Sequence, residues 1–213
     1  MLTVLMPSLN KLVDYSYESI KNKETEAVIA QMLKSVKPVK NPELLQVSGI
    51  PGAGKSTYCA KNMLDNYLYL SFDRIMVELE GYKKELILRG NEIAFKKYEM
   101  YARVIGYELL KRALDLHINI MFEHSGTNNA HLELFKNIKD KGYKTSVRFI
   151  VCDTDLAIKR TKERCLKINR YVPESLIIER ASAYKEYIKE YQKLSASINV
   201  LDGGNNFALL KKI

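Results

Sequence analysis

Nine consecutive residues, Gly49-Ile-Pro-Gly-Ala-Gly-Lys-Ser-Thr57, have the spacing G-x-x-x-x-G-K-[ST] of a loop that wraps phosphate. Gly49, Gly52 and Gly54 let the backbone turn its N–H groups, Ala53 included, inward around a β-phosphate, where a Cβ would obstruct. Lys55 is placed to bridge β- and γ-phosphates and the Ser56 hydroxyl to ligate Mg²⁺. Thr57 continues into a helix whose positive end faces the anion. The stretch therefore predicts binding of a nucleoside triphosphate with Mg²⁺. A chance glycine turn before a helix is the competing reading. The apolar run Leu44 to Ser48 before the loop and the helical composition of Ser56 to Asn66 after it argue against that alternative.

A phosphate loop alone does not separate a kinase from a GTPase or a motor ATPase. The chain has no Asn-Lys-x-Asp motif and no apolar strand ending in Asp-Glu, so it reads as a phosphotransferase. Asp73 follows the apolar run Tyr67 to Ser71, at a strand end where a carboxylate can take the proton of an attacking hydroxyl. The same position suits a helix N-cap for Ile75 to Glu80, and spacing leaves both open. Glu123 ends the run Ile118 to Phe122 and could hold a water on Mg²⁺ or grip an acceptor hydroxyl. Arg160 and Arg164, four apart on one helical face, and Arg170 just beyond offer planar forks for phosphate oxygens. The plainer reading is a basic exposed face shared with Lys159, Lys162 and Lys167. His117, His124 and His131 have no ligand spacing, and only His124, beside Glu123, is a candidate for the site.

The elements that must position these groups are short strands alternating with helices. Strands are predicted at Leu44–Ser48, Tyr67–Ser71, Ile118–Phe122, Thr145–Val151 and Ile198–Leu201. Helical patterns run over Tyr98–Leu116, Asn128–Lys141, Thr154–Ile168 and Pro173–Leu194, with Thr127 and Asp153 as N-caps and Pro173 at a helix start. Such alternation implies an α/β fold, a mainly parallel sheet of about five strands with helices on both faces and ligands at the strands' carboxyl ends. The charged, Tyr- and Lys-rich segment Met76 to Met100 could wall the acceptor side. Apolar spacing from Leu9 to Ser35 predicts one or two helices. Residues 1–42 then form an N-terminal helical extension and 43–213 the phosphate-loop domain.

Composition bounds the partners. Lys and Arg number 34 against 25 Asp and Glu, a net charge of +9 that draws anions such as nucleotides, phosphosugars or nucleic acid. Cys59, Cys152 and Cys165 are odd in number and unpaired in spacing, so they read as reduced thiols in a cytoplasmic protein. Met1 to Val13 lacks the features of a signal peptide, and no run of apolar residues is long enough to span a membrane.

In this order the parts resemble the zeta-toxin family of P-loop kinases, whose core is similar to that of polynucleotide kinases. The resemblance rests on the loop Gly49 to Thr57, the strand leading to Asp73, the strand ending in Glu123 with Ser125-Gly-Thr127 after it, the turn Lys141-Gly-Tyr143, and the segment closing on Arg170-Tyr-Val-Pro173. It implies a three-layer P-loop kinase fold, ATP or GTP as donor, and Asp73 as base. Glu123, Ser125 and Thr127 would be acceptor contacts. Lys55, Arg160, Arg164 and Arg170 would be phosphate clamps. A UDP-N-acetyl sugar phosphorylated on its 3′-hydroxyl is the implied acceptor, and an antitoxin protein an implied partner. The family's Glu-Gly-Thr reads Glu123-His124-Ser125 here, and the basic residue that follows it in the family is replaced by Thr127 or Asn128. The Arg170-to-Pro173 ending is equally similar to polynucleotide 5′-hydroxyl kinases, which keeps a nucleic-acid acceptor open, as is a nucleotide-binding module without turnover.

Overall fold

The computed structural model describes residues 12–168 and 171–213. After a 3₁₀ turn at Tyr17–Ser19 come α1 (Lys23–Leu33), β1 (Glu43–Ser48), α2 (Lys55–Lys61), β2 (Tyr67–Ser71), α3 (Phe72–Glu78), α4 (Glu80–Arg89) and α5 (Asn91–Asp115). The second half holds β3 (Asn119–Glu123), α6 (Asn129–Asp140), β4 (Lys144–Val151), α7 (Thr154–Ile168), α8 (Glu174–Leu194), β5 (Ser197–Asp202) and β6 (Ala208–Lys212). Leu9 to Lys11, the start of the predicted N-terminal helical pattern, lie outside the described residues.

The strands form one sheet in the order β2-β3-β1-β4-β5-β6, parallel throughout except for the antiparallel β5–β6 pair. From β1 the chain builds first toward β3 and β2 and later toward β4 and β5, which makes the end of β1 the switch point where such sheets bind ligands. Register sharpens this: Glu123 is opposite Val47 of β1 on one side and Ser71 of β2 on the other, so three strand ends meet.

Period-two alternation splits each strand between two cores. Leu44, Leu70, Phe122 and Phe149 face the larger one, with α3, α5, α6 and α8, while Leu45, Val47, Met121 and Ile150 face the smaller one, with α2 and α7. This is the predicted three-layer arrangement. The first helix is tied to the main body by specific polar contacts. Asn22 and Thr25 form a reciprocal capping box on α1, and Arg112 of α5 places a two-pronged fork on Glu26 at 2.8 Å for each nitrogen. That fork, with the Tyr17 hydroxyl, holds the Glu26 carboxyl down at about 2.

Four sequence expectations need correction. The sheet has six strands; β6 was missed because it is a short edge strand whose five residues are all exposed, so burial imposes no alternation on it. Helix α5 begins at Asn91 and not Tyr98: Gly90, at φ +81°, separates it from α4, and the Lys-rich outer face of its first turns hides the period. Helix α2 stops at Lys61, well short of Asn66, which lies in the left-handed region at φ 57°. The N-cap of α6 is Asn128, whose side chain accepts from the Ala130 N–H at 2.8 Å, and not Thr127. Asp153 does cap α7, accepting from Leu156 at 3.0 Å.

Candidate active site

The loop after β1 turns through three glycines in the positive-φ region, Gly49 at 145°, Gly52 at 84° and Gly54 at 101°. Packing demands glycine as strongly as the dihedrals do. A Cβ on Gly49 would come within 2.3 Å of the Ile150 carbonyl oxygen, and one on Gly52 equally close to that of Ala157. The loop is thus pressed against the end of β4 and the first turn of α7. Ala53, fully buried, closes its inner side through an N–H donated to Ile50 at 3.2 Å. Lys55 Nζ donates to the carbonyls of Gly49 and Ile50 at 2.9 and 3.0 Å, so the ammonium lies across the mouth of the loop.

The Ser56 hydroxyl donates to Glu123 Oε1 at 2.8 Å, and the Tyr69 hydroxyl donates to Glu123 Oε2. Glu123 is only 7% exposed, so the strand end is not a solvated one; its two oxygens are aimed by β2 and α2. Burial and the neighbouring carboxylate push the Tyr69 phenol well above its ordinary range, so it remains a donor. Asp73 lies within the first turn of α3, two residues past β2; the N-cap position there belongs to Ser71.

These groups open onto one cavity of about 740 Å³. Gly52, Gly54, Lys55, Ser56 and Thr57 reach it from the loop, Asp73, Glu123 and Ser125 from the strand ends, and Arg160 and Arg164 from α7. Gly49 and Ala53 support the loop from beneath. Thr127 does not line the cavity, and its Oγ1 is buried with no partner among the described residues. Arg170 lies outside the described residues. Arg160 donates to the Gly203 carbonyl at 2.8 Å, which aims its fork along the cavity wall. Arg164 is more telling. Its Nε and Nη2 are buried without a partner among the described residues, and burial lowers its pKa against the opposing pull of Glu123. Arg164 also lines the cavity, and an oxyanion reaching its guanidinium would give these orphaned donors a partner.

Two further walls complete the cavity, and the sequence marked only part of one of them. The β5–β6 turn brings Gly203, Gly204, Asn206 and Phe207 to the cavity; Phe207 packs edge-on against Tyr58 at 5.4 Å and sits 3.2 Å from where a Gly54 Cβ would be. The run Asp202-Gly-Gly-Asn-Asn is a turn signal that could have marked it. Helices α5 and α8 supply Phe95, Glu99, Arg103 and Arg180. The first three lie in or next to the Tyr- and Lys-rich segment expected to wall the acceptor side, whereas Arg180 had no signal beyond its charge.

His124 lines the cavity, accepting from the Gly126 N–H through Nδ1 at 3.0 Å and stacking on His131 at 3.8 Å between ring centroids. Both rings are held neutral. Burial is the first cause for each, and His131 is pushed down to about 3. His131 Nε2 pairs with Gln46 Oε1 at 2.8 Å. A depressed histidine pKa adds stability above the unfolded value of 6.5 and loses it as pH falls toward the folded value. Between pH 7 and 5 the urea-unfolding free energy is expected to fall by about 2 kcal/mol on account of His131. Glu26, with its pKa near 2, contributes its own acid loss only at lower pH. His131→Gln should flatten the slope in that window; an unchanged slope would show that the ring titrates freely.

A family model described as zeta toxin matches residues 26–211. No curated protein matches the chain. Among solved structures, one from the PezAT chromosomal toxin-antitoxin system of Streptococcus pneumoniae is 17% identical, with 90% of this chain and 81% of that chain covered and a TM-score of 0.73. The AvrRxo1-ORF1:-ORF2 complex with ATP gives 10% identity, coverage of 89% and 62%, and a TM-score of 0.54. The Pnkp1/Rnl/Hen1 RNA repair complex gives 19% identity, coverage of 70% and 46%, and a TM-score of 0.50. At these identities the structural likeness is one of fold.

Proposed function

This chain belongs to the zeta-toxin family, and from that membership we propose that it is a kinase transferring the γ-phosphate of ATP or GTP, with Mg²⁺, to a hydroxyl of a small acceptor, the 3′-hydroxyl of a UDP-N-acetyl sugar first among them. The observation that carries the reading is the convergence on one cavity of Asp73, the Glu123–Ser56 pair and the α7 arginines Arg160 and Arg164. Among the described residues no group of three or more His, Cys, Asp or Glu could cage a metal. This suits Mg²⁺, which keeps most of its waters and takes its oxygens from phosphates and one or two protein groups. Ser56 would ligate it directly and Glu123 through water. The bound Mg²⁺ nucleotide supplies the electrophilic phosphorus and offsets charge on the phosphates.

The chain's own residues do the rest. The loop N–H groups and Lys55 fix the β- and γ-phosphates, and Arg160 and Arg164 approach them from α7. Ser125 stands beside the acceptor. Arg170 would join the clamp from the segment after α7. Asp73 accepts the proton as the acceptor oxygen bonds to the γ-phosphorus and the bond to the β–γ bridging oxygen breaks, leaving the nucleoside diphosphate.

A second reading, phosphorylation of a nucleic-acid 5′-hydroxyl, is favoured by the net charge of +9. An antitoxin partner is in keeping with the PezAT system to which the chain is similar. No helix among the described residues is long and apolar enough to cross a membrane, in keeping with action in the cytoplasm. The test is nucleoside-diphosphate release with ATP or GTP alone, with UDP-N-acetylglucosamine, and with a 5′-hydroxyl oligonucleotide. Stimulation by the sugar nucleotide supports the first reading and stimulation by the oligonucleotide the second. Stimulation by neither, with ATP still bound, would favour a binding module.

A further inference from the structure

The imidazole of His124, the first residue after β3, is fixed from several sides. Its backbone N–H donates to the Val47 carbonyl at 3.1 Å, which keeps the residue in line with β1. The ring stacks on His131 at 3.8 Å with 12° between the planes, and it meets Phe72, the residue before Asp73, in a T-shaped contact at 5.8 Å. His131 is itself set by Gln46: Gln46 Nε2 donates to Ser48 Oγ at 2.7 Å, which leaves Oε1 to accept from His131 Nε2–H at 2.8 Å. The turn back to His124 is pressed on the same pair, since a Cβ on Gly126, at φ +75°, would lie 2.5 Å from Ser48 Oγ and 3.1 Å from Gln46 Nε2. Because the Gly126 N–H donates to His124 Nδ1 at 3.0 Å, that nitrogen presents its lone pair and the ring proton is on Nε2. Nε2 makes no hydrogen bond with any described residue and is not one of their sealed-off polar atoms, and His124 lines the cavity. The ring is thus a neutral donor of fixed direction.

We propose that His124 determines specificity on the acceptor side: its Nε2–H donates to an uncharged oxygen, a hydroxyl or a carbonyl, that the acceptor carries beside the hydroxyl that reacts. Anionic oxygens have better partners in this cavity, where Lys55, Arg160 and Arg164 offer charge as well as donors. Phe72 links the ring to the start of α3, so His124 borders the place where Asp73 would meet the reacting hydroxyl, on the β2–β3 side of the phosphate loop. The acceptor class is then one with adjacent oxygens, a polyhydroxylated or acylated small molecule, and not an isolated alcohol. A fixed donor rejects the analogue that lacks the matching oxygen, because the N–H is left unpaired in a site closed to other partners. The contact belongs to this chain: where it has Glu123-His124-Ser125 the family has Glu-Gly-Thr, and glycine has no side chain to offer. That the bound molecule is a phosphate acceptor rests on the kinase reading above; the donor itself does not, because binding alone tests it.

The experiment is calorimetric titration of the full chain, saturated with Mg²⁺ and a non-hydrolysable ATP analogue so that the phosphate loop is filled. The probes are UDP-N-acetylglucosamine and two analogues of it, with hydrogen in place of the 4′-hydroxyl or of the 2′-acetamido group. Two substitutions separate a donor from a ring that only shapes the turn. His124→Asn can still accept from the Gly126 N–H two residues on but ends short of Nε2, whereas His124→Gln carries an amide N–H out to the Nε2 position. Donation from Nε2 predicts about 10-fold weaker binding of the sugar nucleotide with His124→Asn and most of the affinity restored with His124→Gln. One of the two analogues should bind the wild type about 10-fold more weakly as well and lose nothing further in His124→Asn, the coupling expected of two halves of one bond. A purely structural ring predicts the reverse order, Asn tolerated and Gln not, with no such coupling. That reverse order, losses that simply add, a proton on Nδ1 in the ¹⁵N spectrum of His124, or no sugar nucleotide bound by the wild type overturns the proposal. Failure of the kinase reading looks different: His124-dependent binding with no phosphate transferred.

Discussion

Asp73→Asn is expected to slow phosphoryl transfer by about 10²- to 10⁴-fold, the usual worth of a positioned general base. ATP affinity should be nearly unchanged, because the loop glycines, Lys55 and Ser56 that would hold the triphosphate are untouched. The asymmetry follows from position. Asp73 comes from the first turn of α3, beyond the end of β2, while the phosphate loop lies beyond β1, with β3 between them in the sheet. Rapid-quench transfer assays beside fluorescent-nucleotide titrations would read the two effects separately. A parallel loss of affinity and rate would instead make Asp73 part of the donor site.

Glu123→Gln should lower turnover and raise the Mg²⁺ concentration needed for half-maximal rate, each by roughly 10- to 100-fold, as for residues that orient a metal's ligands. The amide keeps the shape of the carboxylate but can donate as well as accept, so one of the two hydroxyl contacts, to Ser56 or to Tyr69, is lost or turned around. The acceptor KM should stay close to the wild-type value. That pattern distinguishes metal support from the acceptor contact that the sequence alone also allowed. A raised acceptor KM with an unchanged Mg²⁺ requirement would return Glu123 to the acceptor.

The legible part of the fold was the part that burial enforces. Central strands such as β1 and β3 are covered by helices on both faces and therefore read as short apolar runs, and the loop between β1 and α2 declares itself through glycines that both φ and packing require. The edge strand β6 has no buried side chain to pattern it, and the early turns of α5 show mostly their solvated face. Within the site, groups next to a strand end in sequence, Asp73 and Glu123, could be placed from the sheet rule alone. Arg103 and Arg180 could not. They line one cavity only because α5 and α8 both frame it, a long-range juxtaposition that local periodicity does not encode. Thr127 shows the converse, only four residues past Glu123 yet outside the cavity lining, with Asn128 taking the helix cap.

The central claim, that this cavity moves a γ-phosphate onto an acceptor hydroxyl, is tested most directly by following the label of γ-³²P-ATP into product with Mg²⁺ and UDP-N-acetylglucosamine. The account predicts label on the sugar nucleotide with wild-type protein and almost none with Asp73→Asn at matched nucleotide occupancy. Label that appears equally with both proteins, or only as inorganic phosphate, would contradict it.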